Sequence, residues 1–332
     1  MTIQEIIKLD KSNIFLPNYR GRLTEGVTYN PANDTLIWVD IIVGEVHRVK
    51  LSSEAADKEH EVIKWGQSGE SIGAIGLTTK NDVILVCGKY GVALGDFTTG
   101  KIEYFFKYPY DVTKQQRLRS NDGIVDPWGN LWIGVMNDFP VTFKEGVRPE
   151  GKLFRIDHKD LSITTMVDDT LIANGLAFSE DGKKLFWTDS LTFTNWQFDY
   201  DYATNTLSNR RPFIEAKKFF PDEASPEPDG FTMTKDGHIY HAVFSTSTVI
   251  HVDANAQLVS KIQLPASRIT CVTSGGKYND ELFITTAHLQ LDDFNATIDP
   301  KDTNGDLGGF LYRVKLDKPV NGQIKNIWGG QV

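Results

Sequence analysis

IANGLAFSEDGKKLFWTDS, residues 172–190, decides the fold: Asn174-Gly175 opens a run of alternating apolar residues, SEDG turns the chain, and KLFWTDS continues as a strand rich in aromatic residues. β-Branched and aromatic side chains suit a pleated, half-buried surface. Similar second strands begin near Leu36, Val83, Leu131, Leu185, Ile239 and Leu282, in LIWVDI, VILVCG, LWIGVM, KLFWTDS, IYHAVF and ELFITTA. Their spacing of 43 to 54 residues is close to the blade period of propellers. No long helical stripe interrupts the pattern. The expectation is an all-β, six-bladed β-propeller made by residues 1–332 as a single domain. The N-terminal IIKL or NIFL is expected to complete the last blade and close the ring.

Sequence register then suggests a site. Glu25 stands eight residues before Asn33, Asn174 eight before Gly182, and Asp229 eight before Gly237. The innermost strand of each blade lines the central channel, so equivalent positions gather at one mouth. In Asn121-Asp122-Gly123, Asp122 occupies the equivalent position and Asn121 lies one place out of register. Each dipeptide alone also reads as a turn, with glycine supplying positive φ. Their shared register favours a site. Two carboxylates and amide carbonyls, without Cys or His, describe a hard-cation site.

The composition narrows the partners. With 332 residues, 40% hydrophobic and 24% charged, the chain reads as globular. A net charge of -9 argues against nucleic acid or an anionic membrane as a partner. MTIQEIIKLDKSNIFLPNYR has no apolar signal core, so a cytoplasmic location is expected, and no protein partner is implied. Cys87 and Cys271 lack metal-type spacing and read as buried reduced thiols. Asp299-Pro-Lys-Asp-Thr-Asn-Gly-Asp lacks the register of a helical calcium loop and reads as a polar loop. A three-residue separation on a strand puts His238 and His241 on opposite faces. Asp40 and Asp189 end equivalent strands, which favours a structural hydrogen-bonding role.

LTEGVTYN, RSNDGIVDPWGNLWIGVM, IANGLAFSEDGKKLFWTDSLTFTNWQFDYD and PEPDGFTMTKDGHIY resemble the gluconolactonase, regucalcin and luciferin-regenerating family. The similarity continues through ITCVTSGGKYNDELFITTA and GGFLYRVKL, and TDSLTFTNWQFDYD is nearest to the regucalcin branch. The resemblance implies a propeller holding one divalent cation through Glu25, Asn174 and Asp229. It implies substrate-facing roles for Arg119 and Asn121. Of the divalent ions, Ca²⁺ is favoured by a partly hydrated oxygen site, while Zn²⁺, Mn²⁺ and Mg²⁺ also accept oxygen ligands.

The implied reaction is hydrolysis of a small polar, sugar-derived lactone, with the cation polarising the carbonyl and Asp229 assisting removal of a proton from water. A phosphoester or phosphonate hydrolase on the same scaffold and a non-catalytic calcium-binding regulator are the alternatives. One segment departs from the regucalcin pattern: in GVMNDFP, Phe139 stands where relatives carry a substrate-binding acid. Asp138, the only carboxylate nearby, is the candidate for that role. Residues 139–151 are expected either to cover the mouth or to form an exposed insertion.

Overall fold

The computed structural model describes residues 5–52, 59–65 and 70–332. Blade 1 runs over residues 24–64, blade 2 over 72–107 and blade 3 over 118–170; blades 4, 5 and 6 cover 173–215, 227–263 and 269–315. The innermost strand of each blade contacts that of the next, and the sixth contacts the first, closing a six-bladed β-propeller. Second strands at Thr35–Asp40, Val83–Gly88, Leu131–Asn137, Lys184–Asp189, Ile239–Phe244 and Glu281–Thr286 begin within one residue of the expected positions. The described helices are one or two turns long, and none is long and apolar enough to cross a membrane.

Closure differs from the expectation in one respect. Strand Glu5–Lys8, which includes most of IIKL, pairs in parallel with Leu258–Gln263 and becomes a fifth strand of blade 5. NIFL instead meets blade 6: Ile14 forms a bridge with Tyr312, and Phe15 N donates to Leu311 O. Among the described residues, blade 6 itself has three strands. The two apolar segments therefore serve adjacent blades.

Packing explains why the middle strands read as continuous apolar runs. Each blade is covered on both faces by its neighbours, so Thr35–Asp40 is buried along its whole length, whereas the outer strand Lys101–Lys107 alternates with solvent. Interblade packing includes Ile37, Val39, Ile72 and Val86 between blades 1 and 2. Trp132, Leu176 and Trp187 join blades 3 and 4. Burial of an aromatic side chain of this size contributes about 2–3 kcal/mol.

A common irregularity shapes the channel. All six inner strands carry a register shift near their beginning, including Glu25/Thr28, Ser120/Gly123, Asn174/Leu176 and Pro228/Phe231. Such bulges redirect side chains and tighten the local twist. Gly26 has the positive φ expected of its turn (58°), but Gly175 serves another purpose. A Cβ on Gly175 would approach Asp229 O at 2.4 Å, so its absence lets blades 4 and 5 come together beside Asn174 and Asp229.

At the other ends of the inner strands, the C-terminal segment forms a strap. Gln323 N donates to Met233 O, Asn326 Nδ2 to Val125 O, and Trp328 N to Leu77 O. Trp328 is buried in the cluster shared by blades 2 and 3.

Candidate active site

The mouth at the beginnings of the inner strands opens into a cavity of about 240 Å³. Glu25, Arg119, Asn121, Asn174 and Asp229 line it, and all five are buried. The structure thus brings together every predicted site residue except Asp138. The bulge explains why Asn121 joins this group although sequence spacing selected Asp122. Both residues lie between the register positions Ser120 and Gly123, and Asp122 lines a smaller channel cavity shared with Lys325.

Glu25 and Asp229 form the acidic centre, and the charge of Glu25 acts on Asp229. Glu25 Oε2 accepts Gly26 N at 2.8 Å, while Asp229 Oδ1 is buried without a hydrogen-bond partner. Burial, followed by the field of Asp122, pushes the Glu25 carboxyl up to about 8. Asp229 is held well above the usual carboxylate range by burial and then by the charges of Glu25 and Asp122. Two such acids share a proton unless positive charge is supplied. Asn174 Oδ1 accepts Gly175 N at 3.1 Å, and Nδ2 donates to Ser190 Oγ at 3.1 Å. A carbonyl oxygen can accept two bonds, so this amide retains donor capacity for a cation. Among the described residues, no group of three or more His, Cys, Asp or Glu side chains is arranged to hold a metal. The oxygen set here needs the amide of Asn174.

Arg119 is committed more deeply to the protein than its motif suggested. Nη1 donates to Ser120 O and Asn121 Oδ1, both at 2.8 Å, and Nη2 approaches Met136 Sδ at 3.3 Å. Its guanidinium lies 4.4 Å from the Phe139 ring centroid. Burial lowers its pKa to about 10, an effect opposed by the charges of Asp138 and Glu25. Nε is buried without a partner, and one of the two Nη2 hydrogens is likewise uncommitted. Asn121 Nδ2 donates to Ala173 O at 3.0 Å, so its amide is fixed across two blades.

Asp138 does not line the cavity. Its Oδ1 accepts Phe139 N at 2.9 Å as the cap of helix Phe139–Glu145, and Oδ2 pairs with Lys89. Asp138 therefore starts a helix, and its charge favours the protonated guanidinium of Arg119. The same helix carries Phe139, Thr142 and Phe143 into the cavity wall. Residues 139–151 thus contribute a helical cover to the mouth, followed by a short irregular segment.

Sequence reasoning missed Ser190, Glu227, Phe244 and Leu291, which also line the cavity. Glu227 had a usable signal: it lies two positions before Asp229 on the same strand. Ser190 and Ile41 follow the equivalent aspartates of two blades, and both reach the cavity. Those aspartates have the same structural duty. Asp40 accepts Arg22 N and Leu23 N, and Asp189 accepts Leu171 N and Ile172 N, just before the inner strands. His238 and His241 stay apart, bonded to His251 and Thr188 respectively. In the polar loop, Asp299, Asp302 and Asp306 accept nearby backbone N–H groups.

The SMP-30/Gluconolactonase/LRE-like region matches residues 23–288. The "Cell growth-regulated gene 1 protein" of Candida albicans is 54% identical, covering 98% of this chain and 99% of its own. A Haloferax volcanii pentonolactonase is 29% identical over 89% of this chain and 91% of its own. Among solved structures, a luciferin-regenerating enzyme superposes with a TM-score of 0.77 at 25% identity, covering 96% of this chain and 99% of its own. With this match over most of the propeller, the chain belongs to the SMP-30/gluconolactonase/LRE-like family.

Proposed function

We propose that this protein hydrolyses the ring ester of a lactone with the aid of one divalent cation held by Glu25, Asn174 and Asp229. The observation that carries the reading is the buried Glu25–Asp229 pair, whose free Asp229 oxygen lies at the cavity. Two buried acids repel each other when both ionise, and a cation relieves that cost. Carboxylate and amide oxygens suit a hard ion, and Ca²⁺ tolerates the mixed, partly hydrated donor set best. When bound, such an ion would polarise a carbonyl and favour ionisation of water. The names of relatives such as the pentonolactonase support the same substrate chemistry.

The chain's own groups account for the remaining requirements. Water adds to the carbonyl carbon, the ring C–O bond breaks, and the open hydroxy carboxylate leaves with release of one proton. The Asp229 carboxylate accepts the proton from the attacking water and passes it on. An uncommitted N–H of Arg119 donates to a substrate oxygen, while stacking on Phe139 and the bonds to Ser120 and Asn121 keep the guanidinium in place. Helix Phe139–Glu145 narrows access of bulk water.

Acid release from a lactone panel, measured after chelation and again after cation is restored, tests this reading. Turnover should disappear and return. Equal turnover in the chelated protein would contradict it. Hydrolysis of a phosphotriester without any lactone, or cation binding without turnover, would instead select one of the two alternative functions.

A further inference from the structure

The walls of this cavity carry information about the part of the substrate that does not react, an inference that rests on the lactonase reading. Most polar side chains at the cavity are already engaged by the protein. Both ends of the Asn121 amide are bonded, to Arg119 and to Ala173 O. Ser190 Oγ accepts from Asn174, and Glu227 Oε1 accepts Ser225 Oγ at 2.6 Å. Arg119 keeps Nε and one Nη2 hydrogen uncommitted, and Asp138 is held by Lys89 and its helix. A sugar lactone carries hydroxyls around most of its ring, and each one buried without a partner is costly. The polar groups left over are hydrogens of Arg119, Asn121 and Ser190 and one oxygen of Glu227, a small set beside the apolar wall.

Apolar surface is plentiful by contrast. Phe139, Ile172, Phe244 and Leu291 line the cavity while only partly buried. Phe143, 48% exposed, also lines it and meets Phe294, 59% exposed, edge to face at 5.9 Å. This extends the wall to the surface. The segment carrying Leu291 and Phe294 is pinned through its carbonyls. Arg22 donates to Gln290 O, Asp293 O and Ala296 O, and Arg268 donates to His288 O and Leu289 O. A contiguous, fixed apolar surface beside a polar centre marks a ligand-binding wall.

We propose that the preferred substrate is a lactone bearing an apolar hydrocarbon substituent. Its ring ester meets the acidic centre, and the substituent lies against Phe139, Phe143, Phe244 and Leu291. This reverses the polarity expected of the substrate from sequence, while retaining the ring-opening reaction.

The test compares δ-valerolactone, its 5-propyl and 5-pentyl derivatives, and D-glucono-δ-lactone, using wild-type protein supplied with Ca²⁺. The value of kcat/KM should rise roughly fourfold for each methylene buried against the wall. The gluconolactone should fall at least about tenfold below the propyl derivative, because hydroxyls placed against the apolar wall lack partners. In folded Phe143→Ser and Phe244→Ser proteins, the rise with chain length should shrink. A sugar lactone equal to or better than the alkyl series, or an unchanged slope in both variants, would overturn the proposal. Calorimetry with the matching alkyl δ-lactams separates the two levels of inference. Affinity that grows with chain length, in a protein that opens no lactone, would uphold the apolar site and remove the lactonase reading. Lactam affinity independent of chain length would overturn the apolar site directly.

Discussion

The channel has two mouths made by opposite ends of the same six inner strands. At one, bulged strand beginnings gather Glu25, Asn121, Asn174 and Asp229 under a partly exposed apolar rim. At the other, the C-terminal strap bonds to Leu77, Val125 and Met233, and Lys325 reaches the small cavity shared with Asp122. The first mouth leaves a buried carboxylate oxygen unpartnered, whereas the second joins blades through backbone bonds and Trp328. The unpartnered carboxylate oxygen at the open mouth is therefore one that a ligand can meet, whereas the strapped mouth is occupied by the chain's own backbone bonds.

Substitutions should separate the two ends. The largest expected effect is at the open mouth: Asp229→Asn should lower kcat by about a hundredfold to ten-thousandfold, the usual range for loss of a general base. Steady-state kinetics on folded protein check this, and wild-type turnover would remove Asp229 from the chemistry. At the strapped mouth, Trp328→Ala should cost about 3–5 kcal/mol of stability by leaving a cavity in the interblade core. Urea denaturation measures that loss. The folded fraction should retain the wild-type kcat, because the substituted side chain belongs to the opposite end.

A third prediction uses proton linkage. The Glu25 carboxyl rises from 4.5 in its ordinary state to about 8 in the fold. Between those values the folded protein binds more protons than the unfolded chain. Stability of the cation-free protein should thus fall as pH rises through this window. Thermal melts should show the decline, and a bound cation or Glu25→Gln should flatten it. The smallest effect is expected from Lys325→Met, which should alter kcat by less than about threefold because it acts from the other side of the channel. A greater change would show that Lys325 tunes the chemistry of the acidic centre through Asp122, whose charge acts on Glu25 and Asp229.

The fold was legible because the blades repeat. Aromatic second strands such as KLFWTD and LIWVD are buried on both sides, so their continuous apolar character survives differences in loop length. Glu25, Asn174 and Asp229 were legible for the same reason: equivalent strand positions converge in a closed ring. Asn121 was harder to place because the bulge between Ser120 and Gly123 changes the phase of the strand. The wall depends on tertiary contacts with no local period. Phe139 follows a helix cap, and Leu291 lies in a loop fastened by distant arginines. Arg119 was visible as a site residue, but its internal bonds to Ser120 and Asn121 were not.

The most direct measurement of the central claim is calorimetric titration of Ca²⁺ into cation-free wild type, Glu25→Gln and Asp229→Asn, with circular dichroism confirming that each is folded. The account predicts one ion per wild-type chain and a large loss of affinity in both variants. Undiminished binding in the two variants would contradict the assignment of the acidic mouth as a cation site.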